Sequence, residues 1–509
     1  MVSHLVNAFI PEIFLSFFIL FSLISNSFLI NTGKFNYPLI NKEIFSQIFF
    51  IFICLLILFL NNKIEGYFFF YLFLNDFNSK IIKLILIFTS LFLIFPIHRS
   101  FVNQALNFFE YYTIFLLSLL SLFLLVCASD MLSFYLLIEL QALSFYVLAC
   151  FKRNSTFSSE AGLNYFISGS FISGIFLFGC SILFILLGTL NFNSLLLLLT
   201  FSFQDTNSVI VLLLTVTILL ITFVFFFKIS VVPFHFWSPD VYDSAPLSST
   251  LIFSLLPKIV LFYIFFKWIY IVKIFSSVQF VLNYCGLASL IYGSCFALYQ
   301  KNFKRLIILS SIAQTGFIIT TLSSINLSTT SISSIFFFLL IYILSSILVW
   351  SNFSLLSNFH NKVSVFKKIA PSNIYTSNLF MLFLINKSWA VLILILFFSL
   401  AGIPPLVGFF SKFLIVSSLV QIGNFGSGFI LFVVGAISVF YYLRIIKIVF
   451  FERNKLIADI DFSQVIFKDM YLFFELFILT FLSYLLIFFF IFPNGLFKIS
   501  CLIKSCLDV

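Results

Sequence analysis

Residues 135–150 read YLLIELQALSFYVLAC, part of an apolar run from about residue 130 to 151 in which Glu139 is the one acidic side chain after the terminal Asp130. Roughly 20 apolar residues are what a helix needs to cross the hydrocarbon core of a bilayer, and a lipid-facing backbone must satisfy its polar groups within its own segment. The stretch therefore predicts a spanning helix. Its carboxyl lies about 14 Å from the helix start at 1.5 Å per residue, close to mid-depth.

Runs of this kind fill the chain, which has 509 residues, 62% hydrophobic and 9% charged. The spacing predicts helices over 5–31, 44–61, 81–97, 105–128, 130–151, 162–188, 209–237, 247–268, 278–299, 303–322, 331–356, 386–422, 428–451 and 470–492. That makes an all-α polytopic membrane protein of about fourteen spans, with residues 67–83 the place where a miscount would hide. A membrane barrel would instead alternate polar and apolar residues in strands of about ten residues. The first apolar stretch lacks a basic leader and a small-residue cleavage site, so it reads as a retained helix. The 82 Phe, beside 17 Gly and 11 Pro, point to AT-rich coding of the kind found in organelle genomes.

Cys54, Cys127, Cys150, Cys180, Cys285, Cys295, Cys501 and Cys506 are scattered without a C-x-x-C pair and read as small core residues. His4, His98, His235 and His360 lie far apart, which offers no haem or zinc set, and no cofactor or metal is expected in this chain. The net charge of +10 sits in short loops, so topology explains it better than nucleic-acid binding does. With the N-terminus outside, the inward loops hold seventeen basic residues, among them Lys152, Arg153, Lys301, Lys304, Lys362, Lys367 and Lys368. The outward loops hold seven: Lys63, Lys80, Lys83, Lys267, Lys273, Lys498 and Lys504. This bias follows the positive-inside rule and predicts that the 152–161 and 360–370 loops face inward.

Three lysines remain, Lys228, Lys258 and Lys412, and with Glu139 they stand inside apolar runs. An ionisable side chain at mid-membrane costs about 2.5–3.5 kcal/mol on insertion scales, so it needs a partner or a hydrated interior. Lys228 precedes Pro233 in FKISVVPFHFWSPD (227–240), and Lys412 follows Pro404 and Pro405 in SLAGIPPLVGFFSKF (399–413). Proline frees carbonyls that a membrane tolerates only where protein or water satisfies them, so helices broken beside charge point to an ion path. Structural alternatives are a Glu139–Lys pair that neutralises a packing defect, and Lys258 snorkelling to an interface after Pro257. Asp130, Asp240 and Asp243 at helix ends read equally as entrance groups or as solvated caps. The two breaks lie five helices apart, as they would if helices 4–8 and 9–13 were inverted copies of one unit. The corresponding division is 1–104 for helices 1–3, 105–268 and 269–453 for the two five-helix units, and 454–509 for helix 14 and the tail.

At these residues the chain resembles the subunit 2, or subunit N, family of antiporter-like membrane subunits of NADH:ubiquinone oxidoreductase, respiratory complex I. The resemblance rests on IELQALSFYVLACFKRNSTFSSEAGLNYFISGSF (138–171), KISVVPFHFWSPDVYDSAP (228–246), PKIVLFY (257–263), QKNFKRLIILSSIAQTG (300–316) and SLAGIPPLVGFFSKF. Outside residues 105–453 it is confined to hydropathy, apart from Pro11-Glu12 in the first helix. It implies fourteen helices, the inverted repeat, and a proton route in which Glu139 and Lys228 are the paired charge, Lys258 the central relay and Lys412 the distal one. His235, Gln314 and Asp130 are accessory candidates. Gln314 stands where the family often has His; it hydrogen-bonds but does not titrate.

The resemblance further implies that NAD, FMN, iron-sulfur clusters and ubiquinone belong to partner subunits. The partners are other membrane-arm subunits of complex I, including antiporter-like sisters, together with lipids. The expected location is the mitochondrial inner membrane, with the chain organelle-encoded. Rival readings are a standalone cation/proton antiporter, and a structural membrane scaffold for which neutralising the buried charges would leave coupling intact.

Overall fold

The computed structural model describes residues 8–29, 42–61, 65–69, 71–104, 110–202, 208–324, 329–362, 376, 379, 386–452 and 470–505. Among them ten helices are long and apolar enough to cross a membrane, or eleven if the bent pair at Leu476–Ile491 and Asn494–Cys501 is one span. Shorter apolar helices lie at Ile10–Ser25, Ile48–Asn61, Lys387–Ala401 and Val407–Ile422. Each segment read as helical from the sequence overlaps a helix among the described residues, with 209–237 interrupted after Ile229 and 386–422 after Ala401, and the chain is a polytopic helical membrane protein.

The helices are α1 (Ile10–Leu29), α2 (Lys42–Asn61), α3 (Phe77–Gln104), α4 (Glu110–Cys127), α5 (Met131–Ala149), α6 (Thr156–Leu187), α7 (Phe192–Ser202), α8 (Ser208–Ile229) and α9 (Trp237–Ser244). They continue as α10 (Leu247–Val272), α11 (Ser276–Tyr299), α12 (Phe303–Leu322), α13 (Thr329–Lys362), α14 (Lys387–Ala401), α15 (Val407–Ile422), α16 (Phe425–Phe451), α17 (Met470–Ile491) and α18 (Asn494–Ser505). Four elements were absent from the sequence reading: α7, α9, α18 and an antiparallel hairpin of β1 (Gly66–Phe68) and β2 (Phe73–Asn75). α18 leaves α17 at 86°.

The chain forms two compact units, one of Met1–Ile94, Gln104–Ile229 and Asp240–Val278, the other of Phe95–Asn103, Ser230–Pro239 and Gln279–Val509. In the first, α10 packs against α4, α5, α7 and α8, and its most apolar window is wholly buried. α6 packs on α5 and α8 and leaves Phe157, Phe171, Phe178 and Ile185 exposed. Lipid tails are as apolar as these side chains, so what separates interior from rim is polar content and packing rather than hydrophobicity. In the second unit α13 lies at the centre, against α12, α14, α15, α17 and α18. There α14 is tied to α13 by the Trp389 indole, which donates to Asn352 Oδ1 at 2.7 Å.

Three of the basic residues counted in the loops are buried in helices instead: Arg99 inside α3, together with Lys83 and Lys304. Lys83, placed from sequence in an outward loop, is 1% exposed inside α3 and pairs with Glu12 of α1. Lys304, also read as a loop residue, is buried in α12. The basic residues Lys367 and Lys368, and most of the 360–370 loop, lie outside the described residues.

Within the second unit α11 and α12 meet backbone to backbone. A Cβ at Gly293 would sit 2.6 Å from Ala313 N and 2.8 Å from Leu309 O, whereas one at Gly435 in α16 would meet nothing within 4 Å. Small residues permit this approach, which supplies packing where no hydrophobic drive exists between helices. Gly293→Ala is expected to force the helices apart, at a cost of about 1–3 kcal/mol. Gly435→Ala should be neutral or stabilising by up to about 1 kcal/mol from helix propensity. Thermal unfolding of the two variants checks the contrast.

Candidate functional site

Each of the two broken helices presents the open carbonyl end of its first half, and a lysine stands at each. α8 ends at Ile229, with Lys228 in its last turn, and Ser230 then adopts φ 66°. A cation there meets the negative end of the helix dipole. α14 ends at Ala401, where Gly402 takes φ 80° and Pro404 and Pro405 follow. Lys412 approaches this end from the other half, α15: its ammonium donates to Leu400 O and Ala401 O at 2.9 Å each and to Ser438 Oγ at 3.2 Å. The same ammonium lies 5.7 Å from the Phe317 ring centroid on α12. Gly408 permits the geometry, because a Cβ there would stand 1.8 Å from Ser399 O.

Gln314 is half-buried on α12, one turn before Phe317, and therefore on the helix face that Lys412 approaches. His235 is buried in the connection after α8, its ring centroid 4.1 Å from that of Tyr292 on α11 in an edge-on contact.

In the first unit Glu139 and Lys228 lie within electrostatic reach of each other. A contact between them, direct or through water, is expected from the cost of burying each alone, and no direct ion pair joins the two side chains. Glu139 Oε1 is buried without a hydrogen-bond partner among the described residues, and Tyr135 and Tyr146 of the same helix lie within its field. Glu139 also falls in line with the exposed residues Leu132, Leu136, Leu143 and Val147, at helical spacing along α5.

Lys258 is 3% exposed in α10. Its predecessor Pro257 has no N–H, which removes the bond that Phe253 O would otherwise accept four residues back. The Tyr242 hydroxyl donates to that carbonyl at 3.3 Å, so α9 repairs the defect beside Lys258. The sequence reading did not single out Tyr242, although the Pro257 minus four rule would have identified the open acceptor. Asp130 stands at the N-cap of α5, where its carbonyl accepts from Phe134 N at 3.0 Å while its side chain makes no capping hydrogen bond. Burial raises its carboxyl above the ordinary value, and a hydrogen bond with Asn191 opposes that shift.

No group of three or more His, Cys, Asp or Glu side chains suited to a metal occurs among the described residues. The arrangement instead offers lysines and a carboxylate in protein interior, two of the lysines at breaks where backbone carbonyls turn inward. Such groups hold and pass protons or small cations.

Comparison with known proteins follows this geometry. A family model described as NADH:quinone oxidoreductase/Mrp antiporter, TM, matches residues 128–441. The chain is 34% identical over 408 residues to NADH-ubiquinone oxidoreductase chain 2 of Marchantia polymorpha, covering 80% of this chain and 79% of that protein. It is 32% identical over 395 residues to NADH-quinone oxidoreductase subunit N of Pelagibacter ubique, covering 77% of each. A chain of respiratory complex I from Thermus thermophilus shares the fold with TM-score 0.73 at 21% identity, over 97% of this chain and 98% of that one.

Two variants probe the lysine environments. Tyr242→Phe should leave Phe253 O unsatisfied in the interior, costing about 1–3 kcal/mol in unfolding experiments. Gly402→Ala places a side chain at a left-handed position and 3.0 Å from Lys412 Cδ. It should cost at least about 1–2 kcal/mol from backbone conformation alone. Its effect on turnover should be partly shared with Lys412→Met, since both displace the same ammonium.

Proposed function

Because the chain belongs to the NADH:quinone oxidoreductase/Mrp antiporter transmembrane family, we propose that it is a core membrane-arm subunit of respiratory complex I. In this reading it conducts protons across the membrane while partner subunits oxidise NADH and reduce quinone. One observation carries the reading: the matched region, residues 128–441, contains Glu139, Lys228, Lys258 and Lys412 together. We assign Glu139 and Lys228 as the coupled charge at the first break, Lys258 as the central relay and Lys412 as the distal one. His235, Gln314 and Asp130 are accessory. The redox groups are assigned to partners, and the chain itself holds none.

Lysine suits such a route because it carries a proton that it can also release, whereas arginine keeps its charge. Moving one charge against about 100 mV costs roughly 2.3 kcal/mol, so the electron-transfer step must supply the drive through coupled charge states. Helices 4–8 and 9–13 are read as inverted copies within a fourteen-helix plan. Glu139, in line with an exposed apolar stripe, supports a neighbouring membrane-arm subunit on that face of α5. The phenylalanine-rich composition and the Marchantia relative support a mitochondrial inner-membrane location and organellar coding. The family description also names Mrp antiporters, so cation-driven proton flux by the isolated chain in liposomes would favour the antiporter reading.

Lys258→Arg tests the relay. The variant should assemble and retain the charge, yet lose most of its proton-coupled quinone reductase activity. Full activity with an unchanged proton-to-electron ratio would demote Lys258 to a structural cation. For Glu139→Gln and Lys228→Met, each should impair turnover, with the double variant less impaired than the summed losses. Strict additivity would mean that the two act independently.

A further inference from the structure

Glu12 and Lys83 form an ion pair, 4% and 1% exposed, between α1 and α3. Both lie outside the region that the family model matches. A buried ion pair is weak support for a fold, since two apolar side chains of similar volume usually serve as well. Its surroundings are also lopsided. Lys83 donates to Glu12 Oε1, while Glu12 Oε2 is buried with no hydrogen-bond partner among the described residues.

Apolar rings close the pair off on two sides. The Lys83 ammonium lies 5.5 Å from the Phe9 ring centroid and 5.6 Å from that of Phe59. Phe9 in turn packs edge-on against Phe68 and Phe73 of the hairpin at 5.3 and 6.0 Å. The hairpin is pinned in place: Ser129 N donates to Leu72 O at 3.1 Å, Lys80 pairs with Glu65 at 3.0 Å, and Asn193 bonds the Tyr67 hydroxyl.

On the remaining side polar groups continue outward. Cys127, at the end of α4, interacts with both Lys83 and Glu12. Its Sγ lies 3.9 Å from Asn75 Oδ1, which also accepts from Ser79 Oγ at 3.2 Å. Asp76 follows Asn75 in the chain and is half-buried at the edge of the cluster. Burial raises its carboxyl above the usual range, and Lys267 of α10 opposes that; Glu65 and Lys80 are the other charges acting on it. Lys267 also acts on Cys127.

We propose that Glu12 and Lys83 form a second proton-holding site in this chain, separate from Glu139, Lys228 and Lys258. Uptake forms an O–H bond at Glu12 Oε2 as an O–H bond of a hydronium ion arriving by Asp76 breaks and leaves water. Lys83 remains an ammonium and the charge of the cluster rises by one. Release breaks that bond and returns the proton by the polar edge of Asn75, Ser79 and Asp76. The proposal rests on the reading of the chain as a proton conductor.

The test uses the assembled NADH:quinone oxidoreductase in proteoliposomes, with infrared difference spectra between resting and turning-over enzyme. A protonated-carboxyl band should be present in the parent, lost in Glu12→Gln and shifted in Glu12→Asp. The double variant Glu12→Gln with Lys83→Met removes the unpaired-charge penalty, so it should assemble even where the single variant does not. It should nevertheless turn over severalfold more slowly when coupled. An unchanged band in Glu12→Gln, or coupled turnover of the double variant equal to that of the parent, overturns the proposal and leaves a structural counterion. Lys258→Arg in the same assay separates the two readings. Its full activity would strike at the relay assigned to Lys258, whereas an unaffected double variant beside an inactive Lys258→Arg strikes at this site alone.

Discussion

A backbone carbonyl without a partner in the interior of a membrane protein is the constraint on which this structure turns. It makes every span a helix, and it decides what must accompany each place where a helix stops short. At Leu400 and Ala401 the open carbonyls are met by the Lys412 ammonium. At Phe253 the carbonyl opened by Pro257 is met by the Tyr242 hydroxyl. The two solutions differ in kind. A neutral hydroxyl repairs the helix and adds no charge, whereas an ammonium repairs it and leaves the cation's own state tied to the geometry of the break. The proline-rich segments and the buried lysines are thus one design seen from two sides.

Much of this was legible in the chain. Apolar runs long enough to span, the breaks at Pro233 and Pro404–Pro405, and the four charges inside apolar segments could be read directly, because hydropathy and proline act locally. What escaped were features that depend on where segments meet. Lys83 looked like a flanking residue because Asn78, Ser79 and Lys80 precede it, yet α3 begins at Phe77 and carries these polar residues inside its first turns. Its partner, Glu12, is 71 residues away in sequence. The hairpin strands are three residues each, too short for an alternating pattern to declare itself, and α18 is a helix whose direction only the 86° bend reveals. Glu139 and Lys228, expected to meet directly or through water because each is costly to bury alone, lie within electrostatic reach in one unit without a direct ion pair.

The same difference of range explains how charges are handled in each part of the chain. Where a cation is enclosed by aromatic rings, as Lys83 is by Phe9 and Phe59, it sits with a directly bonded counterion. Lys412 relies on carbonyl and hydroxyl oxygens instead, with no carboxylate bonded to it among the described residues. Neutral ligands stabilise a charge without fixing it, because removing the proton costs no ion pair. A bonded carboxylate couples the two groups, so that a proton gained or lost by one changes the proton affinity of the other.

The buried apolar window of α10 bears on how the protein is made. The helices that enclose it within its unit, α4, α5, α7 and α8, all precede it in the chain. During synthesis these four neighbours come before it, so a segment carrying Lys258 at its centre emerges to packing partners that have already been made. Chain order here serves as an insertion schedule, with the receptacle delivered before its occupant.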